Sequence, residues 1–303
     1  MSNQPTSQRT FYRVPRAAFT LVELLVVIAI IGVLLGMTLP AVQAMREIAR
    51  RNRCSENLAN LNRAMVAYEM NYGHFPVGTH NPTGPIQNVA EGMHQNWVIA
   101  LLPELEAENV YETIDLSTSV YSDKNKTIQE LSLPFLNCPS GPTNFDSRSS
   151  YAAVHSSTET PIDESNNGMF FLNQPVASED VRDGLAYTLF LGEKQDGAAV
   201  DLGWYSGTRA TLRNTGHPIN AAWDLDTLNL DPLTVGGFAS SHPEGAQFSD
   251  GAGGIRFYSN STDQELLQQL GSRSDGEIPA NWKTPADGSL TTESKPSADG
   301  DPQ

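Results

Sequence analysis

The chain has 303 residues, of which 39% are hydrophobic, and its formal net charge is −16. The charge is uneven, because residues 1–63 hold eight arginines and three glutamates, a charge of +5, which leaves −21 on the remainder. An acidic body of this kind argues against nucleic acid as a partner and is typical of a well-solvated domain outside the cytoplasm.

The first predicted element is a membrane-spanning helix. From Phe19 to Val42 the chain is almost entirely apolar, and these 24 residues would extend about 36 Å as a helix, enough to cross a hydrocarbon core of about 30 Å. Glu23 is the acid in this run. Such a carboxylate either lies at the membrane surface, where the helix dipole favours it, or requires a partner of opposite charge.

The stretch RAAFTLVELLVVIAIIGVLLGMTLPAV at 16–42 resembles the processing segment of type IV prepilins and type II secretion pseudopilins. The resemblance implies that a prepilin peptidase cuts between Ala18 and Phe19 and methylates the new amine of Phe19, so that residues 1–18 are a leader. Ala18 departs from the glycine that this family has before the cut. Pro40 matches the proline that kinks the helix in this family, and in an assembly Glu23 is predicted to pair with the Phe19 amine of a neighbouring subunit.

Beyond Pro40 the pattern becomes that of an amphipathic helix. Apolar side chains recur at helical spacing at Val42, Met45, Ile48, Leu58, Leu61, Met65 and Tyr68. We therefore expect one helix from Thr20 to about Asn71, ended by the glycine and proline of YGHFP, with its second half packed on a sheet. The arginines that follow the span either contact anionic lipid head groups or form a solvated face.

The remaining elements are predicted to be short. Two short helices are expected at 97–103 and 105–111 and an extended piece at 133–140. Strands are expected at 151–154, 168–172, 188–194 and 254–259, followed by a helix at 263–270. Residues 272–303 contain few apolar side chains, which predicts a disordered tail.

Blocks spread over most of the chain resemble a second family, catalogued as DUF1559. They read RRNRCSENLANLNRAMVAYEMNYGHFP, FLNCPSG, SYAAVHSS, NGMFFLN, DGLAYTLFLGEK and SSHPEGAQFSDGAGGIRFYSNS. In that family the last block has a histidine, nine residues and then Asp-Gly before a strand. Here His242 stands where the family's histidine stands, and the Asp-Gly falls on Ala252 and Gly253. The nearby Asp250 replaces the missing acid if the alignment shifts locally.

The sequence predicts no catalytic residue, no metal site and no cofactor. His242 is followed by proline and glycine, which indicates a loop, and together with Asp250 it supplies too few ligands for a metal. The favoured interpretation is that His242 and Asp250 brace a turn through hydrogen bonds. Cys54 and Cys138 form either one disulfide or two buried thiols.

The predicted fold class is α+β, a long N-terminal helix packed on an antiparallel sheet, with residues 19–42 in the membrane and 43–271 as the body. The expected function is that of a structural pseudopilin-like subunit, not an enzyme, anchored once in the inner membrane with the body outside the cytoplasm. Expected partners are the prepilin peptidase, other pilin-like subunits and membrane lipid. Two alternatives stay open: a membrane-anchored module that binds glycan, cation or protein, and a hydrolase centred on His242.

Overall fold

The computed structural model describes residues 20–141, 147–195, 201–221 and 231–276. The fold class is α+β, as predicted. The helices are α1 (Leu21–Tyr72), α2 (Trp97–Leu101), α3 (Glu108–Tyr111), α4 (Lys126–Gln129) and α5 (Gln264–Gly271). The strands are β1 (Thr79–His80), β2 (Gln95–Asn96), β3 (Tyr151–Ser156), β4 (Leu189–Glu193), β5 (Leu212–Asn214), β6 (Gly245–Asp250) and β7 (Ile255–Ser259).

The chain divides into two compact units. The first ends at Arg46 and contains the apolar first half of α1, and the second begins at Glu47. We call the second unit the body. It contains the last turns of α1, all the strands and every shorter helix.

The body is built on a five-stranded sheet with the order β5-β3-β4-β6-β7. The pairs β3–β4, β4–β6 and β6–β7 are antiparallel, whereas β3 and β5 are parallel. The sheet is therefore mixed where the sequence predicted an antiparallel one. The chain passes from β4 to β5, and these two strands run in opposite directions. Because β3 lies between them and is antiparallel to β4, β5 runs parallel to β3.

The second half of α1 packs on this sheet through a buried helical stripe. The stripe comprises Cys54, Asn57, Leu58, Leu61, Asn62, Ala64 and Met65. Its two asparagines bind the sheet directly: Asn57 Nδ2 donates to Tyr151 Oη at 3.2 Å, and Asn62 Nδ2 donates to the carbonyl of Asp250 at 2.7 Å. The predicted packing of the helix on a sheet is thus confirmed for this stretch.

The beginning of the predicted stripe behaves differently. Val42, Met45 and Ile48 have helical spacing, but each is exposed in the structure, whereas Leu58, Leu61 and Met65 are fully buried. Periodicity alone predicted that all six lie on one apolar face. It could not show where along the helix the contact with the sheet begins.

The opposite face of the sheet is covered by α5. Asp263 caps this helix, because its carboxylate accepts from the backbone N–H of Glu265 at 2.8 Å. Leu267 and Leu270 of α5 lie in one buried cluster with Val154 and Phe248 of the sheet. Both faces of β3 and β6 are therefore covered, and every residue of these two strands is buried.

The predicted strands and helices are confirmed in part. Strands form as expected in β3, β4 and β7, and helices form in α2, α3 and α5. Residues 168–172 are not a strand: the chain bends at 168–170, and the pairing of this segment is reduced to an isolated bridge between Leu172 and Thr79. The piece at 133–140 is not extended throughout but contains a 3-10 turn, Pro134–Leu136.

The chain beyond α5 continues to bond to the body as far as the structure describes it. Arg273 Nη1 donates to the carbonyls of Asn166 and Gly168 at 2.8 and 2.7 Å. The N–H groups of Asp275 and Gly276 each donate to the carboxylate of Asp183 at 2.9 Å. The rest of the predicted disordered tail, residues 277–303, lies outside the described residues.

A partly buried carboxylate holds the loop before β6 against β5. Glu159 accepts from the N–H groups of Val235 and Gly236 at 2.8 and 2.9 Å, from Asn214 Nδ2 at 2.7 Å and from His217 Nε2 at 2.9 Å. Burial acts to raise the pKa of Glu159, but these hydrogen bonds outweigh it and lower the pKa to about 2.

We expect Glu159 to make the body sensitive to acid. Because the folded pKa is lower than the unfolded one, the stabilisation is complete above the unfolded pKa of about 4.5 and is lost as the pH falls towards 2. The contribution is on the order of 1–3 kcal/mol, reduced by the partial exposure of the side chain. Glu159→Gln should lower the free energy of unfolding at pH 7 by this amount, and the difference from wild type should shrink at pH 3.

The measurement is urea unfolding of the full chain in mild detergent at both pH values. Glu179→Gln, which changes an exposed glutamate, is the matched control and should leave the unfolding free energy within about 0.5 kcal/mol of wild type. An equal effect of Glu159→Gln at pH 7 and pH 3 would show that the carboxylate charge does not contribute.

Candidate functional site

The residues of the predicted processing site fall at the edge of the described chain. Ala18 and Phe19 lie outside the described residues, which begin at Thr20. Thr20 and Glu23 form a reciprocal pair at the start of α1: the N–H of Glu23 donates to Thr20 Oγ1 at 3.2 Å, and the N–H of Thr20 donates to Glu23 Oε2 at 2.9 Å. This is a capping box, and it satisfies two backbone donors that a helix N-terminus otherwise leaves without partners.

The first unit presents an apolar surface. Helix α1 includes an 18-residue stretch that is long and apolar enough to cross a membrane, and none of that stretch is buried. Pro40 lies inside α1, whose helical bounds extend past it on both sides. The kink at Pro40 stays a prediction. The apolar surface of this unit requires a non-aqueous environment, either lipid or other helices of the same kind.

His242 lies in a different place, in the loop immediately before β6. The loop is held by the N–H of His242, which donates to Ser240 Oγ at 3.1 Å. The imidazole is buried, with the residue 3% exposed. Its Nδ1 donates to Glu47 Oε1 on α1 at 2.7 Å, and its Nε2 lies 3.2 Å from Glu193 Oε1 at the end of β4. A buried histidine thus joins the helix to the sheet through two carboxylates.

The two carboxylates differ in their surroundings. Glu47 is partly exposed, pairs with Arg50 one turn further along α1, and lies 3.4 Å from Ser140 Oγ. Glu193 is buried, and its Oε2 accepts from the N–H of Gln247 at 2.9 Å. Its Oε1, although close to His242, has no aligned hydrogen bond. That oxygen is buried and can accept a further hydrogen bond or bind a cation.

Neighbouring charges determine the protonation of His242 and Glu47. Burial acts to lower the pKa of His242, but the carboxylates of Glu193 and Glu47 outweigh it and raise the pKa above the ordinary value. Burial acts to raise the pKa of Glu47, but His242 and Arg50 lower it overall. The imidazole therefore holds its proton more strongly than a solvated histidine does.

The two cysteines complete the cluster. Cys54 on α1 and Cys138, just after the 3-10 turn, are joined by a disulfide with Cα atoms 5.2 Å apart, within the usual range. His242 Nε2 lies 3.4 Å from Cys138 Sγ. One donor atom from each of Cys54, Cys138, Glu193 and His242 lies within 4.8 Å of the other three. This combination of sulfur, imidazole and carboxylate is one that transition metals accept.

The prediction that His242 and Asp250 brace a turn is wrong for His242 and confirmed for Asp250. Asp250 Oδ1 accepts from the N–H groups of Ala252 and Gly254 at 3.0 and 2.8 Å, and it braces the turn between β6 and β7. Gly253 has a φ of +90° in that turn, a conformation that favours glycine. Ala252 and Gly253 are therefore residues of a hairpin, and His242 belongs to a separate cluster with its own partners.

Sequence reasoning missed Glu47 and Glu193. Glu47 was one charged residue on a helix face, and Glu193 was the next-to-last residue of the predicted strand 188–194, where an acid is normally exposed. The histidine lies 195 residues from Glu47 in the chain. The available signal was chemical: a glutamate at the end of an otherwise apolar strand, in a chain with two cysteines and a histidine in a loop.

Comparison with known protein families agrees with both resemblances. A family described as proteins of unknown function, DUF1559, matches residues 43–265. The prokaryotic N-terminal methylation motif matches residues 13–39. No curated protein and no solved structure matches the chain. The motif implies processing by a prepilin peptidase, and the apolar helix that begins within it anchors the protein in a membrane. The chain therefore belongs to the DUF1559 family, as a pilin-like member that carries a prepilin-type processing segment.

Proposed function

We propose that this protein is a structural pseudopilin-like subunit of a type II secretion or type IV pilus-like system. It is cut after Ala18, methylated on Phe19 and inserted once in the inner membrane with the body outside the cytoplasm. The observation that carries the proposal is the methylation motif at 13–39 together with the apolar helical stretch that begins within it and has no buried residue. Such a helix can pass from lipid into a bundle of identical helices, because both environments are apolar.

Glu23 is the proposed assembly residue. Cleavage would place a positively charged amine on Phe19, one residue before the capping box. Within a bundle, Glu23 of one subunit pairs with the Phe19 amine of its neighbour. In a medium of low dielectric constant such a pair is strong, and either charge alone is costly, so the pair fixes the axial position of each subunit.

We further propose that the protein is not an enzyme. The hydrolase alternative requires His242 to meet a substrate. The imidazole is 3% exposed and lies among Glu47, Glu193 and the disulfide, which supports a structural role. Turnover that depends on His242 in a hydrolase screen of the full chain would contradict this part of the proposal.

The capping box supplies a matched control for the assembly test. Glu23→Val removes both the capping carboxylate and the charge, whereas Thr20→Ala removes the hydroxyl and leaves the charge. Glu23→Gln removes the charge and keeps a side chain that can complete a capping box. If pairing between subunits matters, Glu23→Val and Glu23→Gln should reduce assembly at least tenfold, and Thr20→Ala should leave it near wild type.

The measurement is crosslinking of the full chain in its native cell, together with the amount of protein in the membrane fraction. All three variants should remain in the membrane, and crosslinked multimers should disappear only when the charge is lost. If Glu23→Gln assembled as well as wild type, or if Thr20→Ala failed as completely as Glu23→Val, Glu23 would be a helix cap and not an assembly residue.

A further inference from the structure

The cluster around His242 has a composition that one role does not explain. The disulfide alone needs only Cys54 and Cys138. Yet a buried carboxylate, Glu193, and a buried imidazole, His242, converge on the same sulfur atoms, and burial of such groups costs free energy unless they are paired, hydrogen-bonded or bound to a metal. Glu193 Oε1 is buried and has no aligned hydrogen bond. It is an acceptor directed at the cluster, where it lies 3.2 Å from His242 Nε2.

We propose that Cys54, Cys138, Glu193 and His242 form a four-ligand site for Zn²⁺ when the two cysteines are reduced. Tetrahedral zinc has bonds of about 2.3 Å to sulfur and about 2.0–2.2 Å to nitrogen and oxygen, which places its ligand atoms about 3.3–3.8 Å apart. Two of the present separations are close to this range: His242 Nε2 lies 3.4 Å from Cys138 Sγ, within it, and 3.2 Å from Glu193 Oε1, just below it. The two sulfur atoms separate once their bond is broken.

The orientation of the imidazole is the second observation that points to a metal. Its Nδ1 is held by Glu47 at 2.7 Å, so the nitrogen that faces the sulfur atoms and Glu193 is Nε2. Histidines that bind metals commonly donate their other ring nitrogen to a carboxylate, which fixes the ring and makes it a better ligand. Glu47 holds that position here, and Arg50 in turn pairs with Glu47.

The donor set selects the kind of ion. Two thiolates with an imidazole favour zinc over magnesium or calcium, which prefer oxygen ligands. All four residues are buried, so the site is closed and structural, without an open position for substrate. The ion would tie together α1, the segment after the 3-10 turn, β4 and the loop before β6. It would thus link the same segments that the disulfide and His242 link in the oxidised chain.

The chemistry balances with an added phosphine as reductant. The phosphine gives two electrons to the disulfide and takes an oxygen atom from water, which yields phosphine oxide and two thiols. Zn²⁺ then displaces one proton from each thiol, together with the Nε2 proton of His242 where the imidazole carries one, and binds both thiolates, the Glu193 carboxylate and neutral His242 through Nε2. The dithiol is also the form in which every chain exists before the disulfide is made.

The test uses the full chain in mild detergent, reduced with phosphine without oxygen and titrated with Zn²⁺ or with Co²⁺ as a coloured substitute. We expect one ion per reduced chain, the visible absorption of tetrahedral cobalt–thiolate coordination, and protection of both cysteines from alkylation. The oxidised chain should bind at least tenfold more weakly. His242→Gln and Glu193→Gln should each weaken binding at least tenfold, and Glu47→Gln by about 10–100-fold with the one-to-one ratio retained.

The matched control is His80→Gln, which changes an exposed histidine and should leave binding unchanged. Alkylation of the wild-type chain needs no variant, so it decides the matter even if a substituted chain fails to fold. Equal alkylation with and without Zn²⁺ would overturn the proposal, and so would Zn²⁺ binding that survives in the Cys54→Ser/Cys138→Ser chain. A reduced chain that unfolds and is not refolded by Zn²⁺ would overturn it as well.

Discussion

Replacement of Lys194 by methionine is expected to lower the free energy of unfolding of the body by about 3–5 kcal/mol. Lys194 Nζ lies 2.6 Å from Asp201 Oδ2, and both side chains are 1% exposed. Asp201 also accepts from the N–H of Gly203 at 2.8 Å. Methionine fills similar space without the charge, so the buried carboxylate of Asp201 would lose the Lys194 ammonium, and breaking a buried ion pair by removing one partner is costly.

Two variants separate the charge from the packing. Lys194→Met/Asp201→Asn removes both charges and should recover a large part of the lost stability. Lys124→Met changes a similar pair on the surface, where Lys124 Nζ lies 2.9 Å from Asp115 and the lysine side chain is 65% exposed. That pair should contribute no more than about 1 kcal/mol. Urea unfolding of the full chain, followed by the fluorescence of buried Trp97 and Trp204, measures all three. Equal losses for Lys194→Met and Lys124→Met would contradict the expectation.

The second large effect is expected from removal of the disulfide. Cys54 and Cys138 are 84 residues apart in the chain, and the crosslink restricts a long loop of the unfolded state. The loop-entropy relation gives a loss of about 4–5 kcal/mol for the Cys54→Ser/Cys138→Ser chain in the absence of metal. Both cysteines are replaced together, so that no single reactive thiol remains.

A second double variant and chemical reduction of the wild-type chain are the controls for this prediction. Cys54→Ala/Cys138→Ala should lose a similar amount, which shows that the lost crosslink and not the new hydroxyls is responsible. Reduction of the wild-type chain in the presence of a metal chelator should lower the unfolding midpoint in urea by a comparable step. If the double-serine chain unfolded at the wild-type urea concentration, the disulfide would not stabilise the body.

The long helix could be predicted closely from the sequence. Its prediction from Thr20 to about Asn71 agrees with Leu21–Tyr72 because the apolar run, the change to helical periodicity and the Gly-Pro end signal all act locally. Strand β6 was missed for the opposite reason. Its residues GAQFSD lack the alternation of a half-buried strand, yet all six are buried because α1 covers one face and α5 covers the other. Burial of polar residues on both faces depends on neighbours that the segment itself does not encode.

The cluster at His242 could not be predicted from the sequence for the same reason, because its residues are brought together by long-range contacts. The sequence made both cysteines and the histidine candidates, each for a separate reason. Their meeting with Glu47 and Glu193 is set by the register of α1 on the sheet and by the position of the loop before β6. Long-range pairing of this kind leaves no local pattern in the chain. Asp250 could be predicted, because an aspartate that braces a tight turn acts within a few residues.

The central claim is that this membrane helix is the processed assembly segment of a pilin-like subunit. Intact mass and N-terminal fragment analysis of the protein, purified from the membrane of its native cell, test the claim most directly. We predict a chain that begins at Phe19 and carries one methyl group on its amine. A chain that retains residues 1–18, in cells whose prepilin peptidase processes its other substrates, would contradict the account.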